Sequence, residues 1–319
     1  MRLKLIQLCY LAIPLAMAST AEAQDRPYSL TANVGVHSQY VYRGLSQTNE
    51  NPAIQGGADY SHSSGFYAGT WLSNVSWFSD TNAGTSNSLE MDLYTGFRKS
   101  WDNGLAADVG YLRYQYPGSY PSLPAGTVEP HTDEAYAALG WKWLTLKYSY
   151  AFSDLFGVED SEGSDYLDLT VTVPVNDRFA VTAHAARQSY TGTSTAARLA
   201  GTTNDALYTY DDYRATLNYV FAQGWSMLLT YTHTNAKDEG YMVLGENLGD
   251  DQVVGALAQL VGGLGVEPAD GALQLALGGD DPLPGRLLGD AQPGDTALGG
   301  VDVGPHLGPD DVLRLLADE

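Results

Sequence analysis

Cysteine is almost absent from this chain, and positive charge is scarce. The 319 residues include one cysteine, Cys9, and only 16 Lys+Arg against 38 Asp+Glu, for a formal net charge of -22. Such acidity excludes nucleic acid as a partner, because a phosphate backbone is held by clustered cations. Charged residues of both signs make up only 17%, below the roughly 25% of ordinary soluble domains. Long apolar runs are missing too. Beyond the first twenty-odd residues none approaches the ~20 that a membrane helix needs, which excludes a helical membrane protein and leaves a β-barrel one open. One region also lacks aromatics: no Phe, Tyr or Trp follows Tyr241.

The opening segment carries Arg2 and Lys4, an apolar stretch from Leu5 to Ala18, and then Ala21-Glu22-Ala23. This pattern predicts a secretory signal peptide over residues 1–23, with Gln24 beginning the mature chain. Cys9 precedes most of the apolar stretch, so a lipid anchor does not fit. The mature chain then has no thiol for a disulfide, a metal or a nucleophile. Export is the first functional expectation.

What the sequence has in abundance is 22 Tyr, 6 Trp and 35 Gly, a mixture suited to β-structure. From Tyr28 to Arg43 the residues alternate, with Tyr28, Leu30, Ala32, Val34, Val36, Tyr40 and Tyr42 on one side and Ser29, Thr31, Asn33, Gly35, His37, Gln39 and Arg43 on the other. Period two with one apolar and one polar face predicts a long strand. Further strands are expected at 53–62, 66–77, 89–98, 105–116, 132–141, 144–151, 165–173, 179–188, 213–220 and 225–233, with a last one starting near Asp251. That makes about twelve, many near the 9 to 11 residues of a tilted membrane strand. Short and long connections alternate strictly, as the turns and external loops of an outer-membrane barrel do. Phe66, Trp101, Trp141, Trp143, Phe179, Phe221 and Trp225 lie near short turns; Tyr40, Tyr42, Trp77, Phe78, Tyr116, Tyr150, Phe152 and Tyr231 lie near long loops. Two aromatic girdles are expected.

If the apolar face meets lipid, strand phase turns His37, Arg43, Asp59, Glu90, Asp92, Arg98, Asp108, Glu134, Lys147, Asp168, His184 and Arg214 inward. A charge facing lipid at the midplane costs ~2 to 4 kcal/mol, which favours this phase. Barrels of about eight strands fill with side chains and those of sixteen hold a channel, so twelve lies between. The lumen is therefore either a wet, mildly cation-favouring passage or a plug crossed by salt bridges. Arg43 and the pair Glu90/Asp92 are the expected constriction residues.

Catalytic chemistry has little support. His62 and Ser64 share a strand face and could pair as base and nucleophile, but Ser64-Gly65 is a short turn with no supporting acid at suitable spacing. The six histidines show no ligand spacing. Glu159, Asp160, Glu162 and Asp165 lack the ordered alternation of a calcium loop and are expected to be solvated. No catalytic residue, metal or cofactor is expected.

The segments Val41-Tyr42-Arg43-Gly44-Leu45-Ser46-Gln47-Thr48, Pro52-Ala53-Ile54-Gln55-Gly56-Gly57, Tyr60-Ser61-His62-Ser63-Ser64-Gly65-Phe66-Tyr67, Gly69-Thr70-Trp71-Leu72-Ser73-Asn74-Val75 and Glu90-Met91-Asp92-Leu93-Tyr94-Thr95-Gly96 together resemble the TorF-type porin family. The resemblance runs from Tyr28 to about Val254 and implies a Gram-negative outer-membrane barrel. It departs at the end. Members of such a family are expected to finish soon after Asp251 with an alternating strand and a terminal aromatic. Here residues 255–319 form an aromatic-free tail rich in Gly, Pro and Asp, with two arginines against eleven carboxylates. That composition predicts either an out-of-frame reading of a GC-rich gene or a disordered acidic appendage.

The expected organisation is a signal peptide over 1–23, a barrel over 24–254 and the tail over 255–319. The expected fold is all-β: a transmembrane antiparallel up-and-down barrel of about twelve strands, both ends periplasmic. Passive diffusion of small solutes across the outer membrane is the expected function. The alternatives are a closed-lumen structural or surface-interaction barrel that binds a partner through its loops and, last, an outer-membrane hydrolase. Expected partners are outer-membrane lipid and lipopolysaccharide, the barrel-assembly machinery and the small solutes themselves. The sequence sets no oligomeric state.

Overall fold

The computed structural model describes residues 27–222 and 224–264. The expected signal segment and the tail from residue 265 onward lie outside the described residues. In chain order the elements are β1 (Tyr28–His37), β2 (Val41–Tyr42), β3 (Leu45–Ser46), β4 (Ala53–His62), β5 (Phe66–Asn74), α1 (Trp77–Thr81), β6 (Leu89–Ser100), β7 (Leu105–Gln115), β8 (Thr132–Trp141) and β9 (Leu144–Ala151). They continue with β10 (Asp165–Asn176), β11 (Phe179–Ser189), α2 (Thr195–Leu199), α3 (Asn204–Tyr208), β12 (Tyr210–Ala222), β13 (Trp225–Thr234), α4 (Asp238–Tyr241), β14 (Met242–Val243), β15 (Glu246–Asn247) and β16 (Gln252–Leu264). No described helix is long and apolar enough to cross a membrane.

Twelve of the strands close into one antiparallel barrel, in the order β1-β16-β13-β12-β11-β10-β9-β8-β7-β6-β5-β4. Period-two patterning is what makes these segments strands, because successive side chains must face two different environments. On β8 the alternation is complete: Thr132, Glu134, Tyr136, Ala138 and Gly140 are buried, while Ala135, Ala137, Leu139 and Trp141 are exposed. Around the outside, exposed Leu30, Val34, Ile54, Leu93, Val109, Leu146, Leu169, Leu217, Leu229 and Leu257 form an apolar belt. Trp101, Trp141, Trp143 and Phe221 are exposed toward its short-turn end, and Tyr111, Tyr150, Phe152, Tyr213 and Tyr231 toward its long-loop end.

The buried core lies inside the barrel, from the long-loop mouth down to Tyr67 beside a short turn, and is built mostly of tyrosine: Tyr40, Tyr42, Tyr67, Tyr94, Tyr114, Tyr116 and Tyr136, with Ala53, Val75 and Leu112. Rings fit against the wall because glycines face them across the ladder. Tyr67 pairs with Gly96 and Tyr136 with Gly110. A Cβ on either glycine would stand 2.5 Å from the opposing ring's Cζ. Gly110→Ala is therefore expected to destabilise the barrel by about 1–3 kcal/mol through overpacking. Thermal unfolding of the refolded protein reads this, and an unchanged midpoint would overturn it.

Three strand expectations are corrected. The first strand ends at His37 and not at Arg43, because Ser38 turns the chain inward: its N–H donates to the Gly255 carbonyl at 2.8 Å, and its hydroxyl accepts from the Gly255 N–H at 3.0 Å. Tyr40 and Tyr42, expected in the outer girdle, are consequently buried in the lumen. The strand expected to reach Trp77 stops at Asn74, and Trp77 begins the short helix α1, where Phe78 is buried. Tyr116, also expected in the girdle, is buried with that cluster. Lastly, the strand expected to start near Asp251 runs on through Leu264, so residues 255–264 of the segment set apart as a tail belong to β16 and pair with β1.

Candidate functional site

The inner face of the wall is polar along its whole height. His37, Asp59, Glu90, Asp92, Arg98, Asp108, Glu134, Lys147, Asp168, His184 and Arg214 all take the inward phase of their strands. Arg43 alone reaches the lumen by another route, from a loop.

Two networks follow the wall. On β4 to β9, Tyr94 donates to Asp59 at 2.5 Å and Tyr67 to Asp108 at 2.5 Å. Arg98 pairs with Asp108 at 3.6 Å and lies 4.5 Å from the centre of the Tyr67 ring. Lys147 stands 4.4 Å from the centre of the Tyr136 ring. On β10 to β12, His184 lies between Asp212 at 3.0 Å and Asp168 at 3.4 Å, and Tyr166 donates to Asp212 at 3.0 Å. Each charge sits beside an opposite charge, a hydroxyl or an aromatic face, which is what a buried charge requires.

Across the long-loop mouth lies the hairpin of β2 and β3. Its two central residues, Arg43 at φ 44° and Gly44 at φ 76°, are both left-handed, as a two-residue type I′ turn demands. The tip packs on the far wall, where a Cβ on Gly44 would stand 2.9 Å from the Asp212 Cβ and closer still to Thr234. Tyr210 donates to the Arg43 carbonyl at 2.9 Å, and the Ser46 N–H donates to the Leu248 carbonyl at 2.8 Å. The arms of the hairpin segment touch the near wall. Tyr40 stacks at an angle on Trp71 with ring centres 5.2 Å apart and donates to Glu90 at 3.4 Å, while Tyr42 bonds Tyr114.

Arg43 is the centre of this arrangement. Its two Nη atoms donate to the two carboxylate oxygens of Glu134 at 3.0 and 2.8 Å, and Nη1 also donates to Gln188 Oε1 at 2.8 Å. The guanidinium carbon lies 4.2 Å from the Tyr166 ring centre, 5.1 Å from that of Tyr42 and 5.8 Å from that of Phe156. Arg43 is 1% exposed and Glu134 2%. A bidentate fork with aromatic faces around it is the strongest way to hold a guanidinium.

Of the expected constriction residues, Arg43 and the pair Glu90/Asp92 do share this buried region, but Arg43 bonds Glu134 and not Glu90. Sequence reasoning missed Tyr114, Gln188, Tyr166 and Asp212. All four lie in the inward phase of strands it had found or nearly found, so polarity and phase carried a signal for them. Nothing local marked the hairpin that joins them.

The remaining candidates have structural explanations. Ser64 Oγ lies 2.8 Å from His62 Nδ1, but the Ser64 N–H also donates to that nitrogen and the hydroxyl accepts from Phe66 N. The pair therefore caps a short exposed turn, and among the described residues no carboxylate hydrogen-bonds the His62 ring. Glu159 accepts from the Thr195 N–H at 2.6 Å, which holds its carboxyl below the usual range, and Asp160 accepts from Thr193 N at 3.0 Å. Those two acids fasten neighbouring loops. A polar recess of about 260 Å³ lies on the loop rim beside Arg187, Asp205, Tyr210, Asp211, Asn235 and Lys237. Its cations are engaged, Arg187 with Asp211 and Lys237 with the Ala206 carbonyl.

No curated protein sequence matches this chain. Among solved structures it is similar to the KdgM porin, at 7% identity over 73% of this chain and 98% of that one, with a TM-score of 0.43. It is similar to the NanC porin at 12% identity, over 71% and 97%, with a TM-score of 0.44. It is also similar to an outer membrane channel from Pseudomonas putida F1 at 13% identity, over 77% and 100%, with a TM-score of 0.42. Residues 20–260 match the family described as "Bacterial protein of unknown function (Gcw_chp)", and the chain belongs to that family.

Proposed function

We propose that this protein is an outer-membrane channel through which small solutes diffuse, with the β2–β3 hairpin limiting its conductance. The carrying observation is the division of the closed barrel into an apolar outer belt and an inner face lined by Asp, Glu, Arg, Lys and His. An apolar belt of this extent on a soluble protein would be an aggregation surface, whereas lipid accommodates it. The TorF-type resemblance of its segments and the expected signal peptide support the same location. In this reading the short turns and both barrel ends face the periplasm, and the long loops face outward among lipopolysaccharide.

A second reading, a closed barrel serving as a structural or loop-binding protein, is favoured by one observation: the Arg43–Glu134 pair is buried at the mouth. Single-channel recording of the refolded full chain separates the two. Ohmic steps support the channel, and a tight bilayer across repeated insertions overturns it.

The acidic pair beneath Tyr40 gives the channel its expected cation preference. Glu90 and Asp92 are both buried in the inner wall of β6, and a ring or cluster of carboxylates raises local cation concentration. The double variant Glu90→Gln, Asp92→Asn is expected to move the cation-to-anion permeability ratio toward unity. Reversal potentials in a salt gradient measure it, and unchanged values would overturn the assignment.

A further inference from the structure

We propose that the wall groups around Arg43 form a binding subsite for a cationic solute of the guanidinium class, and that Arg43 occupies it as a built-in stand-in for that solute. The proposal rests on the channel reading for its physiological meaning. Its geometric basis is separate.

Four groups of the site belong to four different wall strands: Tyr114 on β7, Glu134 on β8, Tyr166 on β10 and Gln188 on β11. Gln188 and Tyr166 are oriented by contacts that do not involve the hairpin, whereas Tyr114 also bonds Tyr42 of the hairpin. Gln188 donates its Nε2 to the Asp165 carbonyl at 2.9 Å, which turns its Oε1 toward the lumen as an acceptor. The Tyr166 hydroxyl is held between Asp212 at 3.0 Å and His184 Nε2 at 3.1 Å, which fixes the ring face. Tyr114 lies 3.3 Å from Glu134 Oε2. The Gln188 acceptor and the Tyr166 ring face are therefore held in the wall independently of Arg43, and Glu134 keeps the Tyr114 hydroxyl as a wall partner.

The group that fills the site is, by contrast, lightly built. Arg43 sits in the turn between two two-residue strands, at a left-handed φ of 44° that a side chain of its size rarely adopts. A type I′ turn at this place favours Asn or Gly. Arginine stands there against backbone preference, and its fork matches Glu134 in two bonds and reaches Gln188 with a third. Once the hairpin withdraws, Glu134 becomes a carboxylate in an aromatic, poorly hydrated niche that favours any cation able to replace the guanidinium. A solute with a guanidinium repeats all three hydrogen bonds and the stacking. A primary ammonium repeats the charge but not the planar fork, and is expected to bind more weakly.

The test uses the full chain with methylguanidinium as probe and methylammonium as comparison. Arg43→Ala vacates the subsite, and Arg43→Ala, Glu134→Gln removes its anchor. Calorimetry in detergent is expected to show methylguanidinium binding to Arg43→Ala at least tenfold tighter than to wild type or to the double variant, and tighter than methylammonium. Equal affinity for the single and double variants overturns the proposal. If Arg43→Ala does not give a heat-modifiable folded barrel, Arg43→Asn, a neutral residue that the type I′ turn favours, replaces it in the same comparison. Bilayer recording keeps the two ideas apart. Guanidinium binding without ohmic steps in any variant sinks the channel and leaves the subsite, whereas steps without Glu134-dependent binding sink the subsite and leave the channel.

Discussion

Truncation after Val254 is expected to abolish the closed barrel. Every partner that β1 finds on β16 lies beyond that point, from His37↔Ala256 to Leu30↔Leu264. On the other side, β13 would keep only the pairs of Thr230, Tyr231 and Thr232 with Val254, Val253 and Gln252, and lose those from Leu229↔Gly255 to Trp225↔Gln259. Each backbone group left unpaired against hydrocarbon costs several kcal/mol. Losing the whole β1 ladder therefore exceeds the ~5–15 kcal/mol by which a typical domain is stable. The readout is heat-modifiable electrophoretic migration after refolding, with protease resistance as a second measure. A chain ending at Leu264 is expected to migrate as a folded barrel and one ending at Val254 as an unfolded chain. Folded migration of the shorter chain would show that closure does not depend on the second half of β16.

The second large effect is expected from Gly44→Val. Gly44 has φ 76°, and a side chain there meets Asp212 and Thr234 on the opposite wall. A β-branched residue at such a φ costs of order 1–2 kcal/mol before any clash is counted. Because two short strands hold the hairpin together and no barrel ladder passes through it, the strain is relieved by moving the tip off the wall. The barrel itself keeps its pairing. Single-channel conductance is expected to rise several-fold over wild type, with the heat-modifiable migration retained and a new protease-sensitive site in residues 41–46. Unchanged conductance with a folded barrel would mean that the hairpin does not limit the passage.

Much of the wall was legible from residue order. The spans expected for β4, β8 and β9 coincide with those found, at Ala53–His62, Thr132–Trp141 and Leu144–Ala151. Their edges are marked by turn residues, and their alternation is imposed by two unlike environments a few ångströms apart. The inward phase of Glu90, Asp92, Asp108, Glu134 and Lys147 followed from the same rule. Asp168 and His184 were found as inward residues, but their pairing was not, since they lie on facing strands and meet only through the register of β10 with β11.

The limit of that rule is clearest at residues 38–47. Tyr40 and Tyr42 continue the alternation of β1 and read as two more lipid-facing residues. They are instead buried in the lumen, because Ser38 is tied to Gly255 and the chain turns over the mouth. Alternation records that a segment has two faces; it does not record which side of a wall each face meets. The partners that decide the matter, Glu134 and Gln188, stand 91 and 145 residues from Arg43. Residues 255–260 make the same point in reverse. Their small side chains and the loss of aromatics read as the start of a tail, yet hydrogen bonding to β1 and β13 makes them strand, since a barrel edge accepts almost any backbone that can supply its N–H and C=O groups.

The sequence by itself determined the strand count, the order of short and long connections and the polar lining of the wall, all properties set by neighbours within a few residues. Tertiary structure alone decided how far the last strand runs beside the first, to Leu264, and that Arg43 is clamped across the barrel mouth. Closure and clamping depend on groups far apart in the chain, whose meeting has no local signature.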